Sequence, residues 1–119
     1  MDMIQAEYRR IRNTVVWSLD GWRAAWASEK TLRQWTVVNL LSAGLAFWLD
    51  LSTAERGLVL ALGLLILAVE LMNTGLEEVV DYISLDKNAH AKKAKDCGSA
   101  AVALTALAGG VAWAVILIG

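Results

Sequence analysis

The sequence predicts an all-α integral membrane protein, with three transmembrane helices and an N-terminal amphipathic surface helix. Hydrophobic residues make up 57% of the 119 residues and charged residues only 19%, which is too apolar for an ordinary soluble domain of this length. Proline is absent, as expected for a compact set of uninterrupted helices. We therefore expect a single membrane domain that covers residues 1–119.

The first predicted element is an amphipathic helix at about residues 2–29. Apolar residues recur there at intervals of three or four, while arginine and aspartate occupy the other faces. The apolar positions are Ile4, Tyr8, Ile11, Val15, Leu19, Trp22 and Trp26. Tryptophan on one face and arginine on the other are typical of a helix at the lipid headgroup boundary. The alternative is a helix that packs on a soluble core, but the rest of the chain offers no such core.

Three apolar segments follow, at about residues 31–49, 55–82 and 92–118. The last contains a charge-free run of 23 residues, Cys97–Gly119, which can cross the hydrocarbon core unaided. The first has 15 uncharged residues, Trp35–Leu49, and reaches the required length if Thr31–Gln34 extend it. The second has 13, Gly57–Val69, and becomes a span only if its helix carries polar residues into the membrane edge.

Lysine and arginine are distributed unevenly around these segments. Six precede the uncharged run Trp35–Leu49 and four lie between Val69 and Cys97, whereas only Arg56 lies in the short connection 50–56. The positive-inside rule then predicts that the N-terminus and residues 82–96 lie in the cytoplasm, with the short connection and the C-terminus outside.

A polar stripe ends the second apolar segment. At about 100° per residue, four polar residues fall on one face over three helical turns: Glu70, Asn73, Glu77 and Asp81. Glu78 lies off this face. Ionisable residues at membrane depth are costly and indicate functional sites by default. The stripe therefore predicts an active site at the membrane surface, on the cytoplasmic side where nucleotides are found.

The residue types restrict the chemistry of this site. Glu29, at the junction between the surface helix and the first span, adds a carboxylate, and clusters of oxygen ligands suit Mg²⁺. Zinc or di-iron would need imidazole or thiolate partners, and the chain has only His90 and Cys97. Lys95 and Asp96 add a cation for a phosphate and an acid for a ribose or base. The chain has no P-loop, kinase-type glycine-rich loop or Ser-His-Asp arrangement.

Three motifs of the chain resemble the prokaryotic diacylglycerol kinase family. They are Glu70-x-x-Asn73-Thr74-x-x-Glu77-x-Val79-Val80-Asp81, Ala94-Lys95-Asp96-x-Gly98-Ser99 and Gly21-x-Arg23-Ala24-Ala25-Trp26-x-x-Glu29. The resemblance implies a homotrimer of three-span subunits, with active sites shared between neighbours. It also implies ATP-dependent phosphorylation of diacylglycerol to phosphatidic acid at the inner membrane, with Mg²⁺ as cofactor and no nucleic-acid partner.

The same resemblance implies roles for individual residues. Glu70 would take the proton from the lipid hydroxyl, and Asn73 would help to position it. Glu29 and Glu77 would hold Mg²⁺ on ATP. The other nucleotide contacts would be Arg10, Trp17, Asp81, Asp86, Lys95 and Asp96. The lipid substrate would contact Arg10, Ser18, Glu70, Gly98, Ser99 and Trp113.

Two alternative functions stay open. Undecaprenol kinases belong to the same family and have nearly the same acidic motif, but Gly98 and Ser99 favour the diacylglycerol branch, because the undecaprenol branch tends to have alanines there. A non-catalytic oligomeric transporter or channel would also turn its acids toward the bundle interior. Against that function, the acids gather at the cytoplasmic end of the segment, with Lys95 and Asp96 beside them.

Overall fold

The computed structural model describes residues 2–119 as four α-helices, and this part of the chain contains no strand. The helices are α1 (Met3–Ser28), α2 (Lys30–Trp48), α3 (Thr53–Ile83) and α4 (Ala89–Ile118). The all-α prediction is therefore confirmed. Two of the helices, α3 and α4, are long and apolar enough to cross a membrane.

Side-chain caps determine where α3 and α4 begin. Ser52 and Glu55 form a capping box, in which each side chain accepts a hydrogen bond from the backbone of the other. Asn88 Oδ1 accepts a hydrogen bond from the backbone N–H of Ala91 at 2.9 Å. Such caps satisfy N–H groups that lack partners inside the helix. Both helices consequently begin earlier than residues 55 and 92, where hydropathy alone predicts them.

The chain changes direction at Glu29, between α1 and α2. This residue has an extended backbone with φ −109° and ψ 102°, and its N–H donates to the carbonyl of Ala25 at 2.7 Å. Arg33 Nη1 donates to the carbonyl of Trp26 and so bridges the bend. The break therefore holds the Glu29 carboxylate where the surface helix meets the bundle.

α3 is the central helix, since both α2 and α4 pack against it. α2 turns back into α3 through residues 49–52, and Arg56 Nε donates to the carbonyl of Ala46 across this turn at 2.9 Å. A small apolar cluster of Ala46, Val59 and Ala112 lies at the same end of the bundle. The residue after Ala112, Trp113, donates from Nε1 to Ser42 Oγ at 2.9 Å and links α4 to α2.

Much of the apolar surface of the single chain is exposed. Its accessible surface is 8821 Å², whereas a compact monomer of 12.9 kDa would have about 6,300 Å². Leu64 on α3 and Leu104 on α4 are 71% and 66% exposed, and Ile4 on α1 is 76% exposed. α3 and α4 are thus not the core helices of a soluble protein. Their outer faces require lipid or other subunits to cover them.

Candidate active site

Glu70, on α3, carries a buried carboxylate, and among residues 2–119 no other charged side chain is buried. Only 4% of the Glu70 surface is exposed, and within residues 2–119 its Oε2 has no hydrogen-bond partner. Burying a carboxylate oxygen without a partner is unfavourable. A substrate hydroxyl, a water molecule or a group from another subunit would supply the missing hydrogen bond.

Asn73 lies one turn further along α3, between Glu70 and Glu77 on the stripe. Its Nδ2 donates to Glu77 Oε1 at 3.3 Å, whereas its Oδ1 is buried and, in the described part of the chain, has no partner. α4 approaches this position closely because residue 98 is glycine: a Cβ on Gly98 would overlap Asn73 Oδ1 and come within 3.2 Å of Leu76 Cδ2. Two unpartnered oxygens therefore lie one turn apart on the predicted stripe.

Glu29 reaches the same region from the break between α1 and α2. Glu29 and Glu77 both lie within electrostatic range of Glu70. The structure thus brings together residues that are far apart in the sequence. Repulsion within such a group favours a bound cation, because a cation offsets the accumulated negative charge.

A lysine from α4 completes the polar end of the stripe. Lys95 Nζ donates to Asp81 Oδ1 at 2.7 Å and also interacts electrostatically with Glu77. Asp96, the next residue, does not join this pair: it accepts a hydrogen bond from Lys92 Nζ at 2.5 Å. Lys95 therefore holds α4 to the acidic face of α3, whereas Asp96 lies on a different face of α4.

The turn between α3 and α4 borders an open cavity of about 580 Å³ beside this lysine. Its wall contains charged residues of both signs: Asp81, Asp86, Lys87, Lys92 and Lys95. Cavities of this size and mixed chemistry commonly hold small-molecule ligands. Lys92 was not predicted as a site residue; its spacing of four from Asp96, typical of an ion pair on a helix, is the signal that could have identified it.

The oxygen atoms of this cluster are of the kind that binds Mg²⁺, although the single chain does not surround a metal ion. Within residues 2–119, no three His, Cys, Asp or Glu side chains are arranged to hold a metal by themselves. Mg²⁺ needs only one or two carboxylates and takes its other ligands from water and phosphate oxygens. Glu29 and Glu77 are suitable carboxylates, and the unpartnered Asn73 Oδ1 adds a neutral oxygen beside them.

Besides Asp96, five of the predicted site residues lie apart from this cluster. On α1, Arg10 pairs with Glu7 at 2.8 Å, Ser18 Oγ donates to the carbonyl of Thr14 at 2.8 Å, and Trp17 is 67% exposed. Ser99 is exposed on α4. Trp113 lies near the other end of the bundle.

Substitution of Gly98 by alanine should disturb the stripe through sterics alone. The new Cβ would overlap Asn73 Oδ1, so α4 must move away from α3 or Asn73 must leave its contact with Glu77. Overpacking of this kind costs about 1–3 kcal/mol. We expect Gly98→Ala to lower the thermal unfolding temperature in detergent, whereas Gly109→Ala, where a Cβ meets no atom within 4 Å, should not lower it, because alanine is the better helix former. Equal unfolding temperatures for both variants would contradict the close approach.

Comparison with known proteins gives a consistent result. Residues 16–117 match the family model described as prokaryotic diacylglycerol kinase. The chain is 44% identical over 117 residues to a diacylglycerol kinase of Pseudomonas aeruginosa, with 97% of this chain and 94% of the relative covered. It is 36% identical over 110 residues to a diacylglycerol kinase of Escherichia coli, covering 92% and 90%. A Helicobacter pylori diacylglycerol kinase is 34% identical over 109 residues, covering 92% and 82%.

Proposed function

The chain belongs to the prokaryotic diacylglycerol kinase family, and we propose that it transfers the γ-phosphate of ATP to the free hydroxyl of diacylglycerol, which gives phosphatidic acid. It is a lipid kinase of the membrane, and ATP is its co-substrate. The observation that carries the proposed site is the buried Glu70 carboxylate, whose Oε2 has no partner among the described residues.

Glu70 is the proposed general base. A base must reach the acceptor hydroxyl within hydrogen-bond distance, and the partner that Oε2 lacks is a hydrogen-bond donor such as that hydroxyl. The location of Glu70 on an apolar helix suits a lipid alcohol, because the acyl chains can stay in the bilayer while the hydroxyl reaches the carboxylate. Asn73 is proposed to orient the hydroxyl or the phosphate through its free Oδ1.

Glu29, Glu77 and Lys95 are proposed to hold the phosphate end of the nucleotide. Glu29 and Glu77 would be the carboxylates for Mg²⁺, which supplies positive charge against the γ-phosphate. Lys95 would leave Asp81 in part to contact phosphate oxygens, and Asp81 would keep the lysine in place. The rest of the nucleotide would occupy the cavity at the α3–α4 turn, whose wall includes Asp86.

The other predicted contacts require a second chain in this proposal. Arg10 and Trp17 would reach the nucleotide from the surface helix of a neighbouring subunit, and Asp96 would contact its ribose or base. Ser18, Gly98, Ser99 and Trp113 would line the lipid path. The large exposed surface of the single chain, 8821 Å², supports assembly, and we propose the homotrimer.

In the membrane, we propose three spans from a single domain of residues 1–119. α2 has 19 residues and a length of about 28 Å, close to the hydrocarbon thickness of about 30 Å. Because α2 runs antiparallel along α3, it would cross the membrane at the same place as α3. The N-terminus and residues 82–96 would face the cytoplasm of the inner membrane, as the lysine and arginine distribution predicts.

The proposed reaction is tested by phosphate transfer from labelled ATP in mixed micelles. Purified protein is supplied with diacylglycerol or undecaprenol separately, with Mg²⁺ or with a chelator. We expect labelled phosphatidic acid only with diacylglycerol and Mg²⁺. Labelling of undecaprenol instead would show that undecaprenol is the substrate. Labelling of neither lipid by a folded oligomer would refute the proposed kinase activity.

A further inference from the structure

Asn39 places an amide in the middle of α2, where the surrounding side chains are largely apolar. Its Nδ2 donates to the backbone carbonyl of Gly63 on α3 at 2.6 Å. Polar side chains at membrane depth are costly when unpartnered, and hydrogen bonds between transmembrane helices are a recognised source of association. Nothing in the proposed chemistry uses Asn39, so its presence requires a separate explanation.

Glycine at position 63 leaves room for this contact. A Cβ there would lie 3.0 Å from Asn39 Oδ1 and 3.4 Å from its Cγ. Both residues line two cavities on either side of the contact, of about 250 Å³ and about 300 Å³. Open grooves therefore flank the α2–α3 contact at this level, and the hydrogen bond supplies a directional contact between the two helices there.

The position of this contact along the helices relates it to the acidic stripe. α2 and α3 are antiparallel, Glu29 precedes Asn39 by ten residues, and Asn73 follows Gly63 by ten residues. At a rise of about 1.5 Å per residue, both intervals are about 15 Å. Pairing Asn39 with Gly63 thus sets Glu29 level with Asn73, between Glu70 and Glu77. The electrostatic interaction between Glu29 and Glu70 is consistent with this position of Glu29 along α3.

We infer that Asn39 is a positioning residue, whose hydrogen bond to Gly63 fixes the register of α2 on α3 and so holds the Glu29 carboxylate beside the α3 stripe. Arg56 also ties α3 to α2, but it does so at the far end of the bundle, through the carbonyls of Ala46 and Leu49. A slip of one helical turn would move Glu29 by about 5.4 Å, which is more than a metal ligand tolerates.

The first test measures the register directly and does not depend on catalysis. Spin labels are attached at the exposed positions Thr31 on α2 and Met72 on α3, in a Cys97→Ala background. Labelled chain is diluted into excess unlabelled chain, so that the distance measured by pulsed electron resonance is the one within a chain. We expect Asn39→Leu to broaden the distribution or shift it toward a displacement of about 5.4 Å. A distribution identical to that of the unsubstituted chain would overturn the inference.

The second test is kinetic and rests on the proposed function. Asn39→Leu should lower kcat by about 10- to 100-fold, because small misplacements of catalytic groups have effects of that order. It should also raise the Mg²⁺ concentration for half-maximal activity several-fold, with KM for diacylglycerol unchanged. Asn39→Gln, which keeps the amide donor, should retain more activity, and equal losses in the two variants would refute the role of the hydrogen bond.

Matched variants separate positioning from general destabilisation. Thr36→Val removes a hydrogen bond that stays within α2, from Thr36 Oγ1 to the carbonyl of Leu32, and should leave both the distance and the Mg²⁺ requirement unchanged. Gly63→Ala should act like Asn39→Leu, whereas Gly57→Ala, with no atom within 4 Å of its Cβ, should not. If the unsubstituted chain fails to phosphorylate lipid, the proposed function falls, and the distance measurement still decides the register.

Discussion

Replacement of Glu70 by glutamine is expected to slow phosphate transfer while MgATP binding stays nearly normal. Glutamine has almost the same shape but cannot accept the proton of the lipid hydroxyl, and loss of a general base typically costs about 10²- to 10⁴-fold in rate. Glutamine also adds no charge to the group formed by Glu70, Glu29 and Glu77, so the fold should not be weakened. The expected result is therefore a low kcat in a stable, nucleotide-binding protein.

Two measurements on the same preparation examine this expectation. Steady-state phosphate transfer in mixed micelles gives kcat, and equilibrium binding of a non-hydrolysable ATP analogue with Mg²⁺ gives the nucleotide affinity. Glu78→Gln is the matched control, since Glu78 lies on the same helix but is exposed and off the stripe. If Glu70→Gln abolished nucleotide binding, Glu70 would belong to the metal site and its assignment as base would be wrong.

Glu77→Gln should remove the metal-dependent part of turnover. A neutral amide is a much weaker ligand for Mg²⁺ than a carboxylate, and groups that neutralise charge in the transition state typically contribute about 10²- to 10³-fold. Glutamine keeps an Oε1 that can accept the hydrogen bond from Asn73 Nδ2, so the local packing should survive. We expect a large loss of activity that high Mg²⁺ restores only in part, with the oligomer intact.

The Mg²⁺ titration of activity and the elution volume in detergent address this expectation together. Glu78→Gln again supplies the comparison, because it removes the same charge from an exposed position one residue away. Near-normal activity of Glu77→Gln at limiting Mg²⁺ would exclude Glu77 as a metal ligand. The two glutamine variants should therefore change different quantities. Glu70→Gln should lower the rate of phosphate transfer, and Glu77→Gln should raise the Mg²⁺ concentration that activity requires.

The composition and periodicity of the chain are sufficient to predict helices and the face that carries the acids. Glu70, Asn73 and Glu77 share one face because a helix repeats every 3.6 residues. This depends only on their spacing within one segment of the sequence. A junction between two helices at Glu29 was also expected, since the amphipathic pattern ends there. Hydropathy alone did not locate the starts of α3 and α4, because Ser52 and Asn88 extend these helices by capping them.

Relations between helices could not be predicted in the same way. Periodicity indicates which face of a helix is polar, but it does not contain the register of one helix on another, which depends on contacts such as Asn39 with Gly63. Lys95 and Asp96 are neighbours in the sequence, yet only Lys95 pairs with α3, because successive residues on a helix point about 100° apart.

By itself, then, the sequence determined an apolar all-α chain, the acidic face of α3 and the resemblance to a lipid kinase family. All three depend only on composition and on the spacing of residues within one segment. Only the tertiary structure decided that Glu29 comes within electrostatic range of Glu70, that Gly98 lets α4 approach Asn73, and that Trp113 bonds to Ser42 at the other end of the bundle. The physical reason is that close approach between helices depends on the shapes of both surfaces, and neither segment carries that information alone.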